Sequence, residues 1–280
     1  MVNTIADNGR GRALAVLVVV AVVGLSLVAG LVLLIVNAAR KPAAKANPPA
    51  IAGGSATATP GTASSPTADP ATGTPQDQQD ALAAAPMMSL PESAAQPAPL
   101  VTASAGPPID VPAPTVKPGA GGPPVPTGFP ETPEGAIGQL AAIDEAALST
   151  TDVGKAHEVY TWAAMPGAVS EADWTPSAGV TSINQSMGDD AGQAIVVFQA
   201  VEGQIKGTVG ADFVVACVLG EWDVTQAQLA RSGAADCQRM VWSDGRWRIG
   251  PGDQPAFPSP VWPGSAESVR AGWRAFNRAA

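Results

Sequence analysis

From Ala13 to Val36 the chain carries no charged residue, and as a helix that run exceeds the ~30 Å hydrocarbon core that about 20 apolar residues cross. No other stretch divides the molecule so sharply. A cleaved secretory signal would have an apolar core of roughly 7–15 residues with a small-residue cleavage site close behind. Here the A-x-A pattern at Ala44 and Ala46 comes only after Arg40, Lys41 and Pro42. The run therefore reads as an uncleaved transmembrane helix, residues 13–36, after a short cytoplasmic tail, residues 1–12. No Cys follows it closely, so a lipid anchor has no acceptor. Gly24, Ser26 and Gly30 would let two such helices approach closely.

Flanking charge gives two readings of orientation. Arg10 and Arg12 precede the span, whereas Arg40, Lys41 and Lys45 follow it, which by itself favours a cytoplasmic C-terminal part. The short tail before the span and the envelope-like composition after it favour the reverse. The expectation is a single-pass protein of the cell membrane with its C-terminal domain outside the cytoplasm.

Residues 37–130 hold about twenty of the chain's 28 prolines, and Ala, Thr, Ser and Gly supply most of the rest. With few charges and almost no aromatics, this segment has too little to bury to offset the entropy of ordering it. It reads as a disordered linker. Ala81 to Leu90, with Leu82, Met87, Met88 and Leu90, is its one apolar interruption, either local noise or a short helix or docking motif.

Residues 131–280 contain all seven Trp, the only Tyr, the only His and both Cys, and their length suits one domain with one core. The net charge of −9 does not favour direct nucleic-acid binding, which needs a concentrated basic surface. Thr132-Pro133-Glu134 opens a helix as N-cap, first-turn Pro and early acid, and Ile137, Leu140, Ala141 and Leu148 follow near helical spacing. Thr151 or Asp152 caps a second, along which Ala156, Val159, Tyr160 and Ala163 recur. Ser170 and Asp173 suggest a short third piece around Trp174, and Val180, Ile183 and Met187 continue a weaker pattern to Gly188.

Strands follow. Ala194 to Val201 and Asp212 to Leu219 are rich in Val, Ile and Phe and look buried on two faces, with Gly203, Gly207 and Gly210 read as turn residues between them. Gln238 to Ser243, Asp244-Gly245 and Arg246 to Ile249 form a two-residue type I′ hairpin that sets Trp242 opposite Trp247 and Met240 opposite Ile249. After a Pro-rich arm, a last helix is expected from Ser265, with Val269, Trp273 and Phe276 as its apolar stripe and Arg270, Arg274 and Arg278 as a basic row. That row is either a solvated face or a contact for an anionic partner.

His157 is the only histidine, so a His-dependent nucleophile system would have to be built around it, and nothing nearby in the sequence supports one. One His and two separated Cys make no metal-ligand pattern, and no cofactor or catalytic motif is found. Cys217 and Cys237 either bridge, which would stabilise by roughly 3 kcal/mol in the chain-entropy model, or remain two buried thiols. A bridge between antiparallel strands would place Phe213 opposite Val241 and Val215 opposite Arg239.

Helices first, then a curved antiparallel sheet closed by Trp242-Ser243-Asp244-Gly245-Arg246-Trp247-Arg248-Ile249, resembles the nuclear-transport-factor-2-like, or cystatin-like, α+β cone. With a single N-terminal span, the layout looks like the bitopic subunits of conjugation and type IV secretion channels. Thr132-Pro133-Glu134-Gly135-Ala136 and Trp262-Pro263-Gly264-Ser265-Ala266 are similar to phrases in mobile-element envelope proteins of high-GC Gram-positive bacteria. The long spacer departs from the compact linkers of channel subunits. The resemblance implies a non-enzymatic, membrane-tethered scaffold of a transfer or secretion apparatus, whose partners are the bilayer, itself and other apparatus proteins. The alternative is an envelope-binding module that captures a wall polymer or small ligand.

Overall fold

The computed structural model describes residues 73–278; the apolar run Ala13–Val36 lies outside the described residues. Among those described, no helix is long and apolar enough to cross a membrane. In chain order the elements are α1 (Pro75–Ala84), a 3-10 turn (Glu92–Ala95), β1 (Ile109–Val111), α2 (Pro133–Leu148), α3 (Val153–Ala163) and α4 (Thr175–Met187). A second 3-10 turn (Gly188–Gln193) leads to β2 (Ile195–Val209), β3 (Phe213–Thr225), β4 (Leu229–Ser243) and β5 (Arg246–Ile249), then α5 (Ala266–Arg270) and β6 (Arg274–Arg278).

The helix starts follow their caps. Thr132 accepts from the Gly135 amide with Pro133 in the first turn, and Asp152 accepts from Gly154. Ser170 and Asp173 bond each other in the turn before α4, whose first residue is Thr175.

The class is α+β, with helices packed on a strongly curled mixed sheet that forms a half-barrel. The strand order is β1-β6-β2-β3-β4-β5. The sheet is mixed where a wholly antiparallel one was expected, because β1 runs parallel to β6, with Ile109 opposite Phe276. Asp244 and Gly245 both take positive φ, and the turn sets Trp242 against Trp247 and Met240 against Ile249. The two indoles meet edge to face at 5.5 Å, a geometry that favours the ring quadrupoles.

β2 is much longer than the sequence suggested, because Gly203 and Gly207 lie inside it. A Cβ on Gly203 would sit 2.5 Å from the Ile137 side chain, and one on Gly207 would sit 2.7 Å from Leu82. These glycines permit close packing on the two sheet faces, and the chain reverses only near Gly210 (φ 69). Register shifts after Ala200 and after Ile205 mark bulges in β2, which bend the strand and tighten the curl.

The concave face holds the main core. Ile137, Leu140 and Ile143 of α2 and Val180 and Ile183 of α4 pack with Phe198, Val214, Val218, Trp222, Met240 and Trp247. The Trp222 indole donates to the Leu148 carbonyl at 3.0 Å, and that of Trp247 donates to the Pro130 carbonyl at 2.8 Å, so neither polar tip is left unpaired.

Two further sequence expectations are corrected. Residues 73–130 do not behave as a linker; their first part straps the convex face of the sheet, and their later part supplies β1 and joins the main core. Leu82 and Ala83 pack on Phe213 and Val215, Met87, Leu90 and Ala94 pack beside Cys217, Leu219 and Cys237, and Val111, Val125 and Phe129 join the main core. The segment has too little apolar area to form a core of its own, but it buries that little against a face the sheet already provides. A capping box between Thr74 and Asp77 starts α1. The remainder of the expected linker, residues 37–72, lies outside the described residues.

The second correction concerns the C-terminus. The expected long helix ends at Arg270, Gly272 takes φ 88, and the chain continues as β6. A left-handed glycine is a common helix stop.

Candidate functional site

The bulges, the strap and β6 decide where the chemistry-bearing side chains fall. Arg270, Arg274 and Arg278 do not form a row. Arg274 donates to the Pro107 carbonyl at 2.6 Å, and Arg278 pairs with Glu145 at 2.6 Å while donating to the Ala200 carbonyl at 2.8 Å. Arg270 is exposed at the end of α5. A helix would have placed the three on one face; the stop at Gly272 assigns two of them to tying β6 to its neighbours.

Those ties close an edge. β6 pairs with β2 only at Glu202 and Gly203, so among the described residues the preceding part of β2 has no strand on that side. There Ser149 accepts from the Phe198 amide at 2.9 Å, Glu145 accepts from the Ala200 amide at 3.1 Å, and Arg278 covers the Ala200 carbonyl. Side chains thus occupy backbone groups that would otherwise invite another strand.

Cys217 and Cys237 are opposite one another on β3 and β4 and joined as a disulfide. The bridge is fully buried on the convex face, with the Met87 sulfur of the strap 3.5 Å from Cys237 Sγ. Two cations fix α1 beside it. Buried Arg239 reaches Asp80 at 2.7 Å, and Lys206, the residue inserted at the second bulge, donates to the Ala83 and Ala85 carbonyls at the end of α1. Burial pulls the Lys206 ammonium down to about 8.

His157 stands on α3 with its Nδ1 2.8 Å from Glu171 Oε2, and Thr161 Oγ1 lies 3.5 Å from its Nε2. The line imitates a nucleophile, base and orienting acid, but the last distance is too long for a good hydrogen bond. The His side chain is 59% exposed. Thr161 sits within α3, where backbone amides are spent on helical bonds, so the local backbone offers no oxyanion donors.

A polar centre that sequence reasoning missed lies in the concave core. Asp144 occupies the gap between Ala141 and Leu148 in the sheet-facing stripe of α2. It is fully buried, and neither carboxyl oxygen has a hydrogen-bond partner. Asp236 shares the inward face of β4 with Ala234, Gln238 and Met240. The Gln238 amide donates to it at 2.8 Å and that of Gln254 at 3.3 Å, with further support from the Thr175 side chain. Gln254 enters because β5 pairs with β4 only from Met240 onward, leaving an edge along which the Pro-rich arm runs.

Burial is the main cause that raises both acids. It pushes Asp236 up to about 7 against the pull of its donors, and Asp144, with Asp236 and Glu145 adding repulsion, stands well above the usual carboxylate range. The signal in the sequence was an acid at a core position of an otherwise apolar stripe. Glu202, buried on the other face, is a simpler tie: Ser268 donates to it at 2.5 Å and the Gly264 amide at 3.2 Å. Among the described residues no group of three or more His, Cys, Asp or Glu could hold a metal ion.

No protein-family model, curated protein or solved structure matches the chain.

Proposed function

We propose that this chain is a non-enzymatic, membrane-tethered scaffold or assembly component of a conjugative transfer or secretion apparatus, with its folded domain outside the cytoplasm. The observation that carries this reading is the buried Cys217–Cys237 disulfide, because structural bridges persist in oxidising compartments and are rare in the cytosol. The Ala13–Val36 run supplies the anchor.

An assembly role has support in the surface of the domain. Beyond Glu221 the convex face leaves Ile195, Val197 and Leu229 exposed at 66%, 50% and 55%. They flank Thr225 and the Asp223–Arg231 pair on neighbouring strands. This is the opposite end of β3 from α1, so the strap does not cover it. The envelope-binding alternative would use either the cone or the basic row, and of that row Arg274 and Arg278 are committed to internal contacts.

The test is crosslinking of the full chain in its own membranes, with thiol labelling of intact cells. Discrete multimers, and cysteines labelled only after reductant is added, are the expected result. Monomers alone would sink the scaffold reading. Thiols that react without reductant, and only after lysis, would sink the outside placement.

A further inference from the structure

Among the described residues Asp144 has no solvent, no donor and no cation to support a negative charge. Burying such a charge costs several kcal/mol even after relaxation, so the group is held as a neutral acid. Every element packed on α2 has been supplied with residues that leave it so. β2 presents Phe198 and Ala200, β3 presents Val214, Ala216 and Val218, and β1 presents Ile109 and Val111. From β5 come Trp247 and Ile249, while Arg246 and Arg248 donate to the Trp162 and Ala164 carbonyls. On α3 the Tyr160 hydroxyl donates to the Val169 carbonyl, and Lys155, His157 and Glu158 are exposed. The start of α4 offers only uncharged Thr175 and Ser177. On α2 itself Glu145 is engaged by Arg278. The largest charge acting on Asp144 is Asp236 of β4.

We propose that Asp144 and Asp236 form a proton-operated latch: with its protons the pair lets α2 and the start of α4 seat on β4, and without them it drives that helical layer off the concave face.

The two acids act in order. The amides of Gln238 and Gln254 favour the charged form of Asp236, so it ionises first, about pH 7. Asp144 has no donor and then faces a charge, so it holds its proton longer. Both folded-state values lie above the ordinary value of 3.8. The stabilisation is therefore complete below about pH 4 and is lost as pH rises through about 7, where the folded state binds more protons than the unfolded one.

The experiment is amide hydrogen exchange on the full chain in detergent micelles between pH 5.5 and 8.5, corrected for intrinsic rates, on the wild type, Asp144→Asn, Asp236→Asn and the two combined. In the wild type, protection of α2 and α4 should fall by up to roughly tenfold per pH unit for each proton lost; in Asp144→Asn only the part due to Asp236 should remain, ending near pH 7, and with Asp236→Asn added it should be nearly flat. Infrared spectra of the wild type at pH 5.5 should show a protonated buried carboxyl band that weakens toward pH 8.5. If the variants do not fold, the wild-type exchange and infrared series decide together. Helix protection that does not change with pH, a slope equal in wild type and variants, or absence of the protonated band would overturn the latch.

Discussion

The thioether sulfur of Met87 lies 3.5 Å from Cys237 Sγ, so a residue of the strap lids the one disulfide of the domain. Met87→Ala should expose the bridge and speed its reduction by dithiothreitol several-fold, measured by timed thiol trapping. Cys217→Ala combined with Cys237→Ala should lower stability by about 2–4 kcal/mol in denaturant titrations.

α1 is held to the sheet by the buried Arg239 guanidinium and exposed Asp80. Asp80→Ala leaves that buried cation without its acid and should cost roughly 1–3 kcal/mol. Hydrogen exchange should show the loss concentrated in residues 75–84, ahead of any change in α2.

Lys206 gives the opposite pH signature from the acid pair. Its folded-state value, pulled down to about 8 by burial, lies below the ordinary lysine value of 10.5. From about pH 8 to 10.5 the unfolded chain holds a proton that the folded one has released, so this residue makes stability rise with pH in that window. Lys206→Met should remove that rise, read as the difference in Tm between wild type and variant across the window.

Opening the β2 edge should make the protein associate. Glu145→Ala or Arg278→Ala removes a plug at the Ala200 amide or carbonyl, and the lost ion pair, being partly exposed, should cost only about 0.2–1 kcal/mol. The larger effect expected is concentration-dependent self-association, measured by sedimentation velocity.

A piece that begins at residue 131 should fold poorly. It would bare Phe213, Val215, Cys217 and Leu219, all fully buried or nearly so. Circular dichroism and light scattering of 131–280 against 73–280 should show the shorter piece less cooperative in melting and prone to aggregate.

What the sequence disclosed was what a few adjacent residues decide for themselves. Thr132-Pro133 starts a helix wherever it is placed, and Asp244-Gly245 makes its turn and so fixes which indole faces which. The strap was hidden because the value of Leu82, Met87 and Leu90 depends on Phe213, Cys217 and Cys237, more than a hundred residues away. β6 was hidden for a nearer reason: the spacing of Val269, Trp273 and Phe276 suits a helix, and the stop signal Ala271-Gly272 in its middle was outweighed. The acid pair could have been suspected from Asp144 alone, since an acid in the sheet-facing stripe of an apolar helix needs an explanation. Its partner was harder to see, because the strand was expected only from Gln238; Asp236 shares the inward face with Met240 once β4 is extended back past Cys237, opposite Val218.

The pairing of Ile109–Val111 with Phe276–Arg278 also sets a timetable. A ribosome delivers the chain from its N-terminus, so β1 emerges early and must wait for the last strand to be made before it has a neighbour. Loop closure over that separation is slow compared with a hairpin. The helices and the β2–β5 meander can therefore assemble while β1 is still unpaired, and seating of β1 beside β6 becomes a late step, open only once β6 itself has been made.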